Sequence, residues 1–226
     1  MSVEFTAASD NEVFDNTTNA GLGPAITVGV RGRIDATQTD AISRAVTINS
    51  AGFSQAISIY ETSTGSQWYM QARNGGINRS QSMFSPTEYI AQTGFDSVAV
   101  VLYGGTTFST YINGSIGRSV ETFANSLDMT GATSLDIVTI GGRKGSAQDW
   151  DGFLADVAVW DAALTDDEAI AYTSGLSPQA IRPQSLRVHW EGLSGTVNEK
   201  MQSITLTYDN APTLNNSDNP QIIFAE

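Results

Sequence analysis

Short apolar-rich runs alternate with turn-forming clusters along this chain, and the runs have the period of strands rather than helices. Residues 25–30 (AITVGV) alternate, as a half-buried strand requires, and residues 44–48 (RAVTI), 56–60 (AISIY) and 67–72 (QWYMQA) are further short β-rich runs. Residues 97–103 (SVAVVLY) are nearly continuously apolar, the pattern of a central strand covered on both faces. Residues 108–112 (FSTYI) run into Asn113-Gly114 and then Ser115-Ile116. Asn-Gly supplies the two positive φ values of a type I′ turn, so a tight hairpin is predicted there. Residues 135–140 (LDIVTI) end at Gly141-Gly142, and residues 153–160 (FLADVAVW) form a further strand. Strands punctuated this regularly predict an all-β fold, an antiparallel β-sandwich of jelly-roll type.

One short helix is predicted near residues 165–174. Thr165 caps the free N–H of Glu168 while Glu168 reaches back to the N–H of Thr165, a capping box. Asp166 and Asp167 complement the positive end of the helix dipole, and Gly175 is a stop. Pro178 and Pro183 bracket a loop. Beyond it, residues 186–190 (LRVHW), 203–208 (SITLTY) and 221–224 (QIIF) are predicted strands, with a turn-rich connector at 215–220. The expected organisation is a sandwich over residues 1–182. Residues 183–226 either complete it or form an assembly or anchoring extension.

Composition narrows the function classes. With 226 residues the chain is one large all-β domain or two small ones, large enough to fold without a staple. It has no cysteine, which excludes disulfides and thiolate metal sites. The 24 acidic against 11 basic residues give a net charge of −13, a surface that repels phosphate backbones, so nucleic acid is not an expected partner. The acidity serves solubility, or else cation binding or a salty medium. No apolar stretch approaches the roughly 20 residues of a membrane helix, so no membrane partner is expected. Met1-Ser2-Val3-Glu4-Phe5 has no basic stretch followed by an apolar run, so no signal peptide is expected.

From residue 95 onward the motifs come in a familiar order: FDSVAVVLYGG, STYINGS, TIGGRKGSAQDWDG, FLADVAVWD and AALTDDEAIAYTSG, together spanning 95–175. This stretch resembles the laminin G-like, concanavalin A-like superfamily. In that family a strand, a "lYvdG" hairpin, an "iGg" turn, an aromatic-Gly step, an "iDevriyn" strand and an "aLs-eEi" helix start follow one another. VEFTAASDNEVF is similar to the family's opening strand, and AITVGVRGRI to its "ftisaWv" strand, with Gly29 standing where the family has Trp. Phe95-Asp96-Ser97 replaces the family's "WhH". The resemblance covers about residues 1–176. The strands beyond it are similar to opening strands of related domains in multi-part proteins, phage particle proteins among them.

The resemblance implies a concanavalin A-like jelly roll and raises one metal question. Members hold a structural Ca²⁺ between the first strand and the Asp of the "iDevriy" strand. The matching residues here are Asp156 and, in SDNEVF, Asp10. A buried carboxylate among Leu, Val and Trp neighbours needs a partner. Asp156 therefore either joins a calcium ion, or caps a backbone turn, or pairs with an arginine. Zinc is excluded in practice by a single His and no Cys.

Catalytic signatures are missing. Glucanases on this fold carry Glu-x-Asp-x-x-Glu on one strand, with period two aiming the carboxylates into one cleft, and no such motif occurs. His189 stands alone between Val188 and Trp190 without a nucleophile elbow, and is read as structural. Gly141-Gly142-Arg143-Lys144-Gly145-Ser146 lacks phosphate-loop spacing and is read as a turn. Sugar binding needs an exposed ring beside polar groups. Trp150, flanked by Gln148 and Asp149, is the candidate platform, whereas Trp160 belongs to an apolar strand.

The expected function is thus a non-catalytic structural or interaction protein. Its first reading is a virion-surface component of a bacteriophage, a capsid decoration or fibre, made in the host cytoplasm and contacting other virion proteins or copies of itself. The alternative is an extracellular carbohydrate-binding module that contacts glycans through loops at a sandwich end.

Overall fold

The computed structural model describes residues 2–5, 14–16, 20–34, 42–62, 67–83, 94–124, 127–132, 135–143, 148–191, 206–208 and 213–215; for 2–5, 14–16, 34, 206–208 and 213–215 it describes the backbone alone. The strands are β1 (Ser2–Phe5), β2 (Phe14–Asn16), β3 (Ala25–Ile34), β4 (Ser43–Asn49), β5 (Gln55–Thr62), β6 (Gln67–Asn74), β7 (Ile77–Ser82), β8 (Asp96–Tyr103), β9 (Thr107–Ile112), β10 (Ser115–Thr122), β11 (Ile137–Ile140), β12 (Gly152–Trp160), β13 (Leu186–Glu191), β14 (Leu206–Tyr208) and β15 (Thr213–Asn215). Among the described residues one α-helix, α1 (Asp166–Thr173), lies between β12 and β13.

The strands form two antiparallel sheets, a jelly-roll β-sandwich. The eight-stranded sheet runs β10-β9-β8-β3-β12-β1-β15, with β13 also paired to β12. β1 takes the Gly152 end of β12 and β13 the Trp160 end. The seven-stranded sheet runs β14-β2-β11-β4-β5-β6-β7. The strands after residue 182 join both layers: β13 pairs with β12, β14 with β2 and β15 with β1. The predicted run at 221–224 lies outside the described residues.

Period-two alternation decides which side chains enter the core. Ile26, Val28 and Val30 of β3, Val98, Val100 and Leu102 of β8, and Val157 and Val159 of β12 point inward. They meet Val46 and Ile48, Ile57 and Ile59, and Trp68, Met70 and Ala72 of the facing sheet. A polar tie crosses the layers through the core: Trp68 Nε1 donates to Asp96 Oδ2 at 3.0 Å, and Asn113 Nδ2 donates to the other oxygen at 2.9 Å. The Asn113-Gly114 turn has φ of 45° and 79°, the two positive values its sequence predicts.

A second apolar layer lies on the outside of the eight-stranded sheet, beneath α1. Ala99, Val101, Tyr111, Ala158 and Trp160 pack there against Leu164, Ala169 and Tyr172. The capping box is formed: Thr165 N–H donates to Glu168 Oε2 at 2.8 Å, and Glu168 N–H donates to Thr165 Oγ1 at 3.4 Å. The strand pattern did not mark β7. Its sequence, INRSQS, has no apolar alternation because it is an edge strand whose side chains are exposed or half-exposed.

Candidate functional site

The two sheets differ in what covers their outer faces. α1 covers the eight-stranded sheet, whereas the seven-stranded sheet turns a polar face outward. Register aligns Thr139, Thr47, Ser58, Gln71 and Ser80 in one row across β11, β4, β5, β6 and β7. Ser58 Oγ donates to Thr47 Oγ1 at 3.3 Å, and Gln71 Nε2 donates to Ser80 Oγ at 3.1 Å. Thr139, Thr47 and Ser58 are fully buried within this face, whereas Ser80, at the β7 end of the row, is exposed.

Arginines and aromatic rings flank this row. On one side Tyr60 and Tyr69 are cross-strand partners whose rings stack with centroids 5.6 Å apart. Arg44 lies beside them, 5.3 Å from the Tyr60 ring centre. A β-bulge between Arg44 and Val46 turns Arg44 onto this face. Its Nε donates to Gln148 Oε1 at 2.9 Å and its Nη2 to Gln71 Oε1 at 3.0 Å. On the other side Arg73 follows Gln71 by one strand period. Arg143, from the turn after β11, holds its guanidinium 3.6 Å from the Phe53 ring centre, and Arg73 lies 5.4 Å from the same ring. Phe53 has φ +54°, a left-handed conformation costly for a bulky residue, within the β4–β5 turn.

The electrostatics follow from burial first and from neighbouring like charge second. Burial, then the charge of Arg143, pushes Arg44 down to about 10. Burial, then Arg73, lowers Arg143. None of the three makes an ion pair among the described residues. Arg44 Nη1 and Arg73 Nε are buried without a hydrogen-bond partner. In a chain of net charge −13, three guanidiniums thus lie on one sheet face without a counter-ion among the described residues, two of them at the same Phe53 ring.

A separate cleft of about 340 Å³ lies between the end of α1 and the start of β8, lined by Arg31, Asp96, Ser97, Asn113 and Thr173 among others. Its principal charged groups are engaged within the fold. Asp96 accepts from Trp68 and Asn113, and Arg31 bonds Asp156 and two carbonyls.

The candidate residues of the sequence separate here. Gln148 reaches the polar face as a partner of Arg44. Trp150 does not serve as a platform: it is fully buried and stacks on Trp68 with centroids 5.2 Å apart. Asp149 is buried beside it, its carbonyl accepting from Ser43 Oγ at 2.7 Å. The segment turns inward because Trp150 N–H donates to Gly141 O and Ser43 ties both neighbours of Trp150 to β4.

Asp156 pairs with an arginine. Arg31 Nη1 donates to its Oδ2 at 3.1 Å, and the Tyr172 hydroxyl stands 3.5 Å from Oδ1. His189 Nε2 lies 3.6 Å from Asp156 Oδ2 and 3.3 Å from Glu191 Oε1, a structural position. The carboxylate that the resemblance offers to calcium thus pairs with a guanidinium within the fold. Asp10 lies outside the described residues, and among those described no group of three acidic or imidazole side chains is set to hold a metal.

The pattern in the sequence did not single out Arg44, Arg73 or Arg143. The available signal was parity: Tyr69, Gln71 and Arg73 alternate with Trp68, Met70 and Ala72, a polar face that carries rings and a charge.

Known proteins agree with this architecture. The family model described as the concanavalin A-like lectin/glucanases superfamily matches residues 7–170. A native heptameric SAP-like pentraxin from Limulus polyphemus is similar at 18% identity and TM-score 0.60, over 92% of this chain and 90% of that one. The Ruminococcus gnavus IT-sialidase CBM40 bound to α2,3-sialyllactose is similar at 17% identity and TM-score 0.54, over 76% and 96%. Mouse laminin α1 domains LG4-5 are similar at 12% identity and TM-score 0.52, over 74% of this chain and 43% of that one. No curated protein sequence matches the chain.

Proposed function

The chain belongs to the concanavalin A-like lectin/glucanases superfamily, and from that premise we propose that it is a carbohydrate-binding module whose ligand lies on the outer face of the seven-stranded sheet. The observation that carries this reading is the face itself. A row of hydroxyl and amide side chains is flanked by Tyr69, a partly exposed ring stacked on the buried Tyr60, and left uncovered by the helix. Sugars pack their C–H faces on such rings and satisfy their hydroxyls with such polar groups. The R. gnavus module of the same fold, solved with sialyllactose, supports the choice of a glycan.

The reading is one of binding rather than catalysis. The face assembles guanidinium, amide, hydroxyl and phenol groups, which orient a ligand. Retaining and inverting glycosidases need two carboxyl groups flanking the scissile bond. The virion-surface role expected from composition and resemblance concerns where such a module is carried, and the polar face favours the glycan-binding role.

Retention on an immobilised panel of neutral and acidic glycans tests the proposal. Binding to at least one glycan class is expected, weakened about tenfold by Tyr69→Ala at unchanged thermal stability, about what one ring contact contributes. Failure to bind any glycan would overturn it.

A further inference from the structure

We infer that the ligand is an acidic saccharide and that Arg44, Arg73 and Arg143 form the subsite receiving its anionic group. This rests on the glycan-binding reading and names the class of glycan. Three observations converge on it.

First, burial and then the charge of Arg143 lower the basicity of Arg44, burial and then Arg73 lower that of Arg143, Arg73 and Arg143 share the Phe53 ring, and none of the three is paired with a carboxylate among the described residues. Uncompensated like charge at a partly desolvated site opposes folding, so a fold retains it only against a gain elsewhere. An anion seated among the three converts mutual repulsion into charge-assisted hydrogen bonds. Second, donors are left over. Arg44 is 2% exposed and already holds Gln148 and Gln71 through Nε and Nη2, so its geometry is set, yet Nη1 has no partner; Arg73 Nε has none either. Third, the support is built at a cost. Phe53 sits at φ +54° with its ring against the Arg143 guanidinium, and a bulge is spent on aiming Arg44. Strain kept in a turn to hold a cation over a ring is the mark of a positioned group rather than a solvated one.

The rest of the molecule selects among anions. A net charge of −13 repels long polyanions at a distance, which disfavours nucleic acid. It tolerates a compact ligand with one or a few charges that reaches the local positive face. The flanking Tyr69 ring, partly exposed and backed by Tyr60, suits the sugar ring to which such a charge is attached. Carboxylate and sulfate esters share this chemistry, and a panel separates them.

The test is calorimetric titration of the full chain at low ionic strength. The probes are 3′-sialyllactose and a galacturonic acid oligomer for carboxylates, a chondroitin sulfate oligosaccharide for sulfate, and lactose and a neutral galactose oligomer as uncharged counterparts. An acidic probe is expected to bind at least about tenfold tighter than its neutral counterpart, the scale of one charge-assisted hydrogen bond, and the advantage shrinks as salt rises. Arg73→Gln and Arg143→Gln, both at partly exposed positions, are expected to remove that advantage while leaving the melting temperature in place. Arg44→Gln risks the fold and is secondary. Equal affinity for lactose and 3′-sialyllactose, or an advantage untouched by the Arg73→Gln/Arg143→Gln double variant, overturns the anion subsite while the glycan-binding reading stands. Absence of binding to every probe overturns both.

Discussion

The phenol ring of Tyr172 occupies the space that a side chain at Gly29 would need: a Cβ built on Gly29 would fall 2.7 Å from Tyr172 Cζ. The resemblance to laminin G-like domains places Trp at this strand position. Here the large ring comes instead from α1, and β3 leaves the gap that receives it. The same ring lies 4.5 Å from the Arg31 guanidinium and meets Trp160 edge-on at 5.3 Å, so it fastens the helix to the sheet. Gly29→Ala is accordingly expected to destabilise the fold by about 1–3 kcal/mol, the usual cost of overpacking, as measured by urea denaturation. In a Tyr172→Leu background the cost of the same substitution should fall, and an undiminished cost would place the clash elsewhere.

Arg31 offers a second, sharper test of how α1 is held. Its guanidinium bonds Asp156 and donates to the carbonyls of Tyr172 at 2.7 Å and Leu176 at 2.6 Å, placing a cation at the negative end of the helix dipole. Both members of the Arg31–Asp156 pair are buried. Removing one strands the other, so Arg31→Met should cost about 3–5 kcal/mol. The Arg31→Met/Asp156→Leu double variant should cost much less than the sum of the single changes. Thermal unfolding of the four proteins closes the cycle, and simple additivity would deny the coupling.

What local pattern made legible was the fold, and what it hid was the arginine-bearing face. Alternation in β3, the short β-rich runs of β5 and β6 and the near-continuous apolar run in β8 depend only on neighbouring residues, so they can be read in line. The helix was legible because its capping box lies within four residues. The arginine site depends on contacts distant in sequence. Arg44 reaches the face only through a bulge, and Arg143 finds Phe53 across 90 positions of chain. Trp150 misled for the same reason: Gln148, Asp149 and Asp151 give it a loop's surroundings, while its true neighbour, Trp68, is on another strand.

Glu61 gives the fold a pH dependence of its own. Burial, and secondarily the charge of Asp151, raises its carboxyl from 4.5 to about 8. A raised folded-state value means the native protein holds this proton more tightly than the unfolded chain. The contribution is therefore complete below about pH 4.5 and is lost as pH rises towards 8. Within that window stability should fall with a slope approaching about 1.4 kcal/mol per pH unit from this one group. Glu61→Gln, which keeps a neutral group of the same shape, should flatten the loss between pH 5 and pH 8. The check is denaturant titration at several pH values, and a variant that keeps the wild-type slope would assign the dependence to other groups.

The Trp68–Trp150 stack decides between two roles for Trp150 by separating stability from binding. Both indoles are fully buried, and Trp68 is further anchored by Asp96 across the sandwich. Truncating Trp150 opens a cavity at the end of the core, so Trp150→Ala should destabilise the protein by about 3–5 kcal/mol. Trp150→Phe keeps a ring against Trp68 and should cost less. A surface platform would behave in the opposite way, losing ligand affinity with the melting temperature intact. With the outer side of the seven-stranded sheet as the binding face, Trp150→Phe should bind glycans as the parent does once both are folded. Parallel melting curves and titrations of the two variants distinguish the cases, and a folded Trp150→Phe protein that no longer binds would return Trp150 to the ligand site.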